Sequence, residues 1–88
     1  TLVPQPSDIQ ILIAKNFKKL RKELGYSQVE MAERAGISLG SLKRFEQKGL
    51  ISLDSLLRLA HLADRLSDFK TLFAPPKDDM KRIEKLFR

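Results

Sequence analysis

A glycine set between two short helix-forming runs is the feature that most constrains this chain. Over residues 28–47 the chain reads Gln28-Val-Glu-Met-Ala-Glu-Arg-Ala-Gly-Ile-Ser-Leu-Gly-Ser-Leu-Lys-Arg-Phe-Glu-Gln47. Met31 and Ala35 stand one helical turn apart, with Val29 and Ala32 beside them. Ser27 and Glu30 have the Ser-x-x-Glu spacing in which each side chain accepts from the other's backbone N–H, so a helix starts there. Gly36 falls where that helix must turn left-handed to stop, a conformation penalised in any residue with a Cβ. Ile37 plugs the corner and Ser38 caps a second helix. Leu42 and Phe45, three positions apart, turn that helix back onto the first. The result is a pair of helices joined by a tight turn.

The flanking sequence supplies more helices. Residues 1–6 carry Pro4 and Pro6 and no amphipathic pattern, and read as an extended arm. Ser7 or Asp8 is expected to cap the first helix. From Ile9 to Leu24 the apolar residues Ile9, Ile13, Phe17, Leu20 and Leu24 recur every three or four positions, widened by Leu12. Lys15, Lys18, Lys19 and Lys22 fall off that stripe, and Gly25 ends the helix. Gly49 ends the helix carrying Phe45, and Leu50 and Ile51 are expected in the core. Ser52 caps a fourth helix with a buried side of Leu53, Leu56, Leu57, Ala60 and either Leu62 or Ala63. Asp64 follows, a residue type that tolerates the left-handed conformation. Ser67 is expected to open a short fifth helix with Phe69, Leu72 and Phe73 facing inward, stopped by Pro75-Pro76. Residues 75–88 read as a C-terminal helical tail in which Met80, Ile83 and Phe87 share a face, with Leu86 beside them. So short a helix is marginal alone and needs a docking surface on its own domain, a second subunit or another protein. The expected fold class is all-α: five short helices around one core in residues 7–74, plus the tail.

Composition narrows the chemistry. Eighty-eight residues suit one small domain. With no cysteine, a disulfide, a thiolate metal site and a cysteine nucleophile are excluded, and a reducing cytoplasm is the expected setting. No apolar run approaches the roughly 18–20 residues of a membrane helix. The start, Thr1-Leu-Val-Pro-Gln-Pro6, lacks the basic residues and apolar core of a signal peptide, and its lack of an initiator methionine suggests an excerpt or a processed chain. A net charge of +6, from 17 Lys and Arg against 11 Asp and Glu, suits an anionic partner. Five phenylalanines, one tyrosine and no tryptophan make a base-stacking platform for single strands or RNA a poor fit. His61 has no second ligand at metal spacing. Asp78-Asp79 more simply complements a helix dipole than forms an acid–base pair. With no Ser-His-Asp set and no phosphate loop, neither an enzyme nor a metal or cofactor is expected.

Gln28, the small Ala32, Gly36 and the apolar Met31, Ile37, Leu42 and Phe45 are seven positions in register, and together they resemble the helix-turn-helix of the Cro/C1-type (Xre) repressor family. The resemblance implies a lambda-repressor-like domain whose helix from Leu39 to Gln47 enters the major groove of double-stranded DNA. With Leu42 and Phe45 inward, Leu39, Gly40, Lys43 and Arg44 are the expected base contacts. Arg44 leads, because its planar fork matches the two acceptors of guanine. Many relatives have polar residues at the positions of Leu39 and Gly40, so recognition here shifts toward phosphates and DNA shape. Ser27, Gln28, Ser41, Lys48 and Ser52 are the expected DNA backbone contacts. Relatives pair an arginine late in the first helix with a glutamate late in the recognition helix. Arg21 and Glu46 hold those positions and are expected to form a partly buried bidentate bridge.

One such domain covers few base pairs, so a homodimer on a palindromic operator is expected, acting as a repressor. Phe69, Phe73, Met80, Ile83 and Phe87 are the expected dimer interface. The run from Phe45 to Ala60, with Asp68 to Phe73, also resembles small Xre-type regulators encoded beside HipA-like kinases. That implies an alternative role as an antitoxin that binds the kinase toxin and represses the shared operon. A protein–protein adaptor without DNA binding is the remaining alternative, and no membrane partner is expected.

Overall fold

The computed structural model describes residues 3–76. Within them lie four α-helices: α1 (Pro6–Glu23), α2 (Gln28–Ala35), α3 (Leu39–Lys48) and α4 (Leu53–Leu62). A 3-10 turn, Leu66–Phe69, follows, and no strand occurs among the described residues. The chain is all-α as expected, but the fifth helix is not formed. Asp64 is left-handed at φ 58° and ends α4, and Phe73 is left-handed at φ 60°. Pro75 disfavours helix in the residue before it. The few residues between these stops cannot repay helix nucleation. The reversal at Phe73 also turns its ring fully to solvent, and Leu72 is 59% exposed, so neither faces inward as expected.

The helix starts follow the local chemistry. Ser27 Oγ accepts from the Glu30 N–H, and the Glu30 carboxylate accepts from the Ser27 N–H, both at 3.1 Å. At the end of α2, Gly36 is left-handed at φ 74°, the Ile37 N–H donates to the Ala32 carbonyl, and the Gly36 N–H donates to that of Glu33. These are the two bonds of a glycine-terminated helix. α1 departs from expectation: Pro6 is its first residue, where a missing N–H costs no bond. Asp8 does not cap it but accepts from the Gln5 N–H at 2.8 Å.

Met31, Leu42, Phe45 and Leu59 are the largest fully buried side chains, and the Phe17 and Phe45 rings meet at 5.6 Å, tilted by 49°. The buried face of α1 is Ala14, Phe17 and Arg21, rotated from the apolar stripe read in the sequence. Ile9, Ile13 and Leu24 remain 43%, 38% and 45% exposed, because the partners of α1 reach only one flank of that stripe. Similarly, α4 buries Leu59 against the core and leaves Leu53 65% exposed. Leu50, expected in the core, is 38% exposed, while Ile51 packs against it. Gly49 ends α3 at φ 73°, and a Cβ there would lie 2.8 Å from the Gln10 carbonyl carbon. This close approach seats the end of α3 on α1. With only a 3-10 turn after α4, an apolar groove of about 310 Å³ stays open, lined by Ile13, Phe17, Leu20, Leu56, Phe69 and Leu72.

Candidate nucleic-acid interface

α3 carries the features that could meet a duplex, and its sequence sets which face it shows. Ser38 caps it, with Oγ accepting from the Ser41 N–H at 3.0 Å. Burial of Leu42 and Phe45 puts Gly40, Lys43, Arg44, Gln47 and Lys48 on the exposed side, with Leu39 and Ser41 half-buried.

The roll of α3 about its axis is set by a polar cluster under it. Arg21 donates through Nε to Glu46 Oε2 at 2.7 Å and through Nη2 to Oε1 at 3.0 Å. Its Nη1 donates to the Tyr26 carbonyl at 2.8 Å. Gln28 Nε2 donates to Glu46 Oε1 at 3.1 Å. The Arg21 and Glu46 side chains are only 8% and 2% exposed. A buried pair of this kind breaks even in net stability at best, yet its bidentate geometry is stringent about angle. The cluster ties α1, α2 and the α1–α2 turn to the one acid of α3.

The electrostatic consequence is direct. Glu46 is the only acidic residue of Leu39–Lys48, and Arg21 neutralises it. Lys43, Arg44 and Lys48 then stand exposed without an ion-pair partner among the described residues. A short, rigid helix with a cationic outer face, packed at fixed angle on a preceding helix across a glycine turn, is the arrangement read in the sequence. A family model described as "Helix-turn-helix" matches residues 17–66. The chain belongs to the Cro/C1-type helix-turn-helix family.

A curated relative from Pyrococcus furiosus, named "Putative HTH-type transcriptional regulatory protein", is 31% identical over 80 aligned residues. The alignment covers 77% of this chain and 25% of that protein, so the chain spans about a quarter of its relative's length. No solved structure matches the chain significantly.

The N-terminus of α2 carries Ser27 and Gln28, two of the residues expected from the sequence to contact the DNA backbone. The capping pair occupies the N–H groups of Ser27 and Glu30, and among the described residues no acceptor meets those of Gln28 and Val29. The Ser27 backbone N–H that donates to the Glu30 carboxylate holds that carboxyl below its ordinary value, with the neighbouring Ser27 hydroxyl adding to the effect. Gln28 is half-buried and already spends one amide hydrogen on Glu46. Ser41 is engaged as well, since its hydroxyl accepts from Ser38 Oγ at 2.8 Å. Lys48 and Ser52 are exposed, and Ser52 Oγ accepts from the Ser55 N–H.

Of the expected dimer residues, Phe69 is half-buried in the groove wall and Phe73 is exposed. Met80, Ile83 and Phe87, and with them nearly all of the expected tail, lie outside the described residues, as do Asp78 and Asp79. Two side chains beside the motif carried no sequence signal. Arg58 pairs with Asp54 at 3.0 Å and sets its Nη1 3.4 Å from where a Cβ on Gly36 would be, and Arg34 lies over the Tyr26 ring at 5.1 Å. The Tyr26 carbonyl was equally invisible as a partner for Arg21, because a backbone acceptor has no letter of its own. Among the described residues no helix is long and apolar enough to cross a membrane, and no group of three His, Cys, Asp or Glu could hold a metal.

Proposed function

We propose that this chain is the DNA-reading unit of a sequence-specific transcription regulator, a repressor that binds a palindromic duplex as a homodimer. The observation that carries this reading is the Arg21–Glu46–Gln28 cluster. It removes the one anion from α3 and holds the helix at a set roll, so that Gly40, Lys43 and Arg44 share the solvent side. Arg44 reads a base edge, most favourably the two acceptors of guanine, and Lys43 reads a base or grips a phosphate. Ser27, Gln28, Ser41, Lys48 and Ser52 surround that face with phosphate donors, together with the free N–H groups at the start of α2.

Two copies are needed because one recognition helix spans too few base pairs for selectivity. The exposed Phe73 and Leu72, next to the half-buried Phe69, form the apolar surface on which a second copy pairs. The family match and the cationic face of α3 together favour the regulator reading over a protein–protein adaptor. Selection of bound sites from random duplexes tests the proposal, with wild type recovering a two-fold symmetric motif. Arg44→Ala should lose about 1–3 kcal/mol of discrimination at one base pair of each half-site. Full retention of that discrimination removes Arg44 from base reading.

A further inference from the structure

Gly40 is the glycine that the fold does not explain. Gly25, Gly36 and Gly49 all sit at positive φ, where a side chain is strained. Gly40 is absent from that set and lies within α3 at its second residue, and a Cβ built on it meets nothing within 4 Å. It is exposed, so no packing inside this chain calls for a missing side chain. A glycine in a helix loses more backbone freedom on folding than alanine would and so weakens the helix. The chain therefore carries a less stable residue on the solvent side of its recognition helix with no compensation within its own fold.

We infer that Gly40 is a close-approach point, at which the α3 backbone contacts the wall of the DNA major groove directly. The inference rests on the DNA-binding reading above and adds how specificity is set. Carbon atoms in contact stand about 3.5–4.0 Å apart, and a methyl group on Cα extends about 1.5 Å from it. A side chain at position 40 holds the helix off the duplex by roughly that distance. Hydrogen bonds weaken steeply beyond their narrow distance range, so Lys43 and Arg44, one turn along the same exposed side, lose base-edge contacts together. Phosphate attraction, which falls off more slowly, survives the shift. Gly40 thus acts as a positioning residue for sequence discrimination more than for general affinity.

The test compares wild type, Gly40→Ala and His61→Ala. His61 is an exposed residue of the last turn of α4, outside the proposed interface, and serves as the control. Each protein is titrated with the duplex recovered by selection and with a random duplex, and its Tm is measured. Gly40→Ala should raise Tm by a few degrees, as expected for Gly-to-Ala in a helix. It should weaken binding to the selected duplex at least about tenfold while changing random-duplex binding less than about threefold. His61→Ala should leave the ratio of the two affinities unchanged. Wild-type affinities in Gly40→Ala overturn the inference and leave the DNA-binding reading standing. A lower Tm in Gly40→Ala also overturns it, since the glycine then serves the fold. Failure of the wild type to bind either duplex at low salt overturns both.

Discussion

Arg21 donates once from each of its three guanidinium nitrogens, and it sits under the helix that is proposed to read DNA. Because the guanidinium is buried, the cost of losing its partner is the cost of a bare charge more than of a lost bond. Glu46→Ala should destabilise the domain by about 3–5 kcal/mol, whereas the Arg21→Ala, Glu46→Ala double variant should cost less than the two single losses added together. Denaturant melts of the four proteins check this, and additive losses would mean that the two side chains are not coupled. Glu30 gives a pH prediction. Its folded pKa is depressed, so its contribution to the α2 start is complete above the ordinary carboxylate pKa and fades as pH falls through the depressed folded value. Titration followed by NMR should place the Glu30 midpoint below the ordinary glutamate value. Ser27→Ala should raise it only part of the way, because the residue-27 N–H, the larger cause, remains.

At the scale of elements, two helix ends give opposite predictions. Gly49 is left-handed and its Cα faces the Gln10 backbone, with 2.8 and 2.9 Å to the carbonyl carbon and oxygen from a built Cβ. Gly49→Ala therefore combines backbone strain with a clash that no side-chain rotation relieves. It should cost about 2–4 kcal/mol and lower Tm by well over ten degrees. Asp64 holds the same left-handed position at the end of α4, where the Arg65 N–H donates to the Ala60 carbonyl at 2.8 Å. Here Asp64→Gly relieves strain and should add roughly 0.5–1 kcal/mol, visible as a rise in Tm. A drop in Tm would mean that the aspartate side chain contributes more than its backbone costs. Both positions were legible in the sequence as helix stops. The burial of Gly49 against α1 was not, since nothing in residues 10 or 49 announces that they meet.

For the whole molecule, net charge and shape predict behaviour in salt. Lys43, Arg44 and Lys48 lie on one helix face, backed by donors on α2 and α4. Two copies on one operator would engage enough phosphates for affinity to fall about a thousandfold between roughly 50 and 200 mM salt. A flat response over that range would argue against a phosphate-dominated interface. Oligomeric state gives the second check at this scale. Phe73→Ser should shift sedimentation toward monomer at a given concentration without lowering Tm in the monomer, because its ring is already in solvent. Unchanged sedimentation would remove Phe73 from the pairing surface.

Local rules that act within one turn of chain determined the start of α2, its glycine stop, the caps of α3 and α4 and the inward pair Leu42 and Phe45. Each depends on residues three to five positions apart, and such spacings survive in one dimension. The outcome at Phe73, Leu53, Leu59 and Ala14 was decided only in three dimensions. Whether an apolar residue is buried depends on which flank of its helix a partner reaches, and here α1 and α4 are covered from sides rotated away from their apolar stripes. The fifth helix failed for a related reason: its residues could follow a helical pattern, but a left-handed reversal at Phe73 and a proline behind it left too little chain to nucleate one.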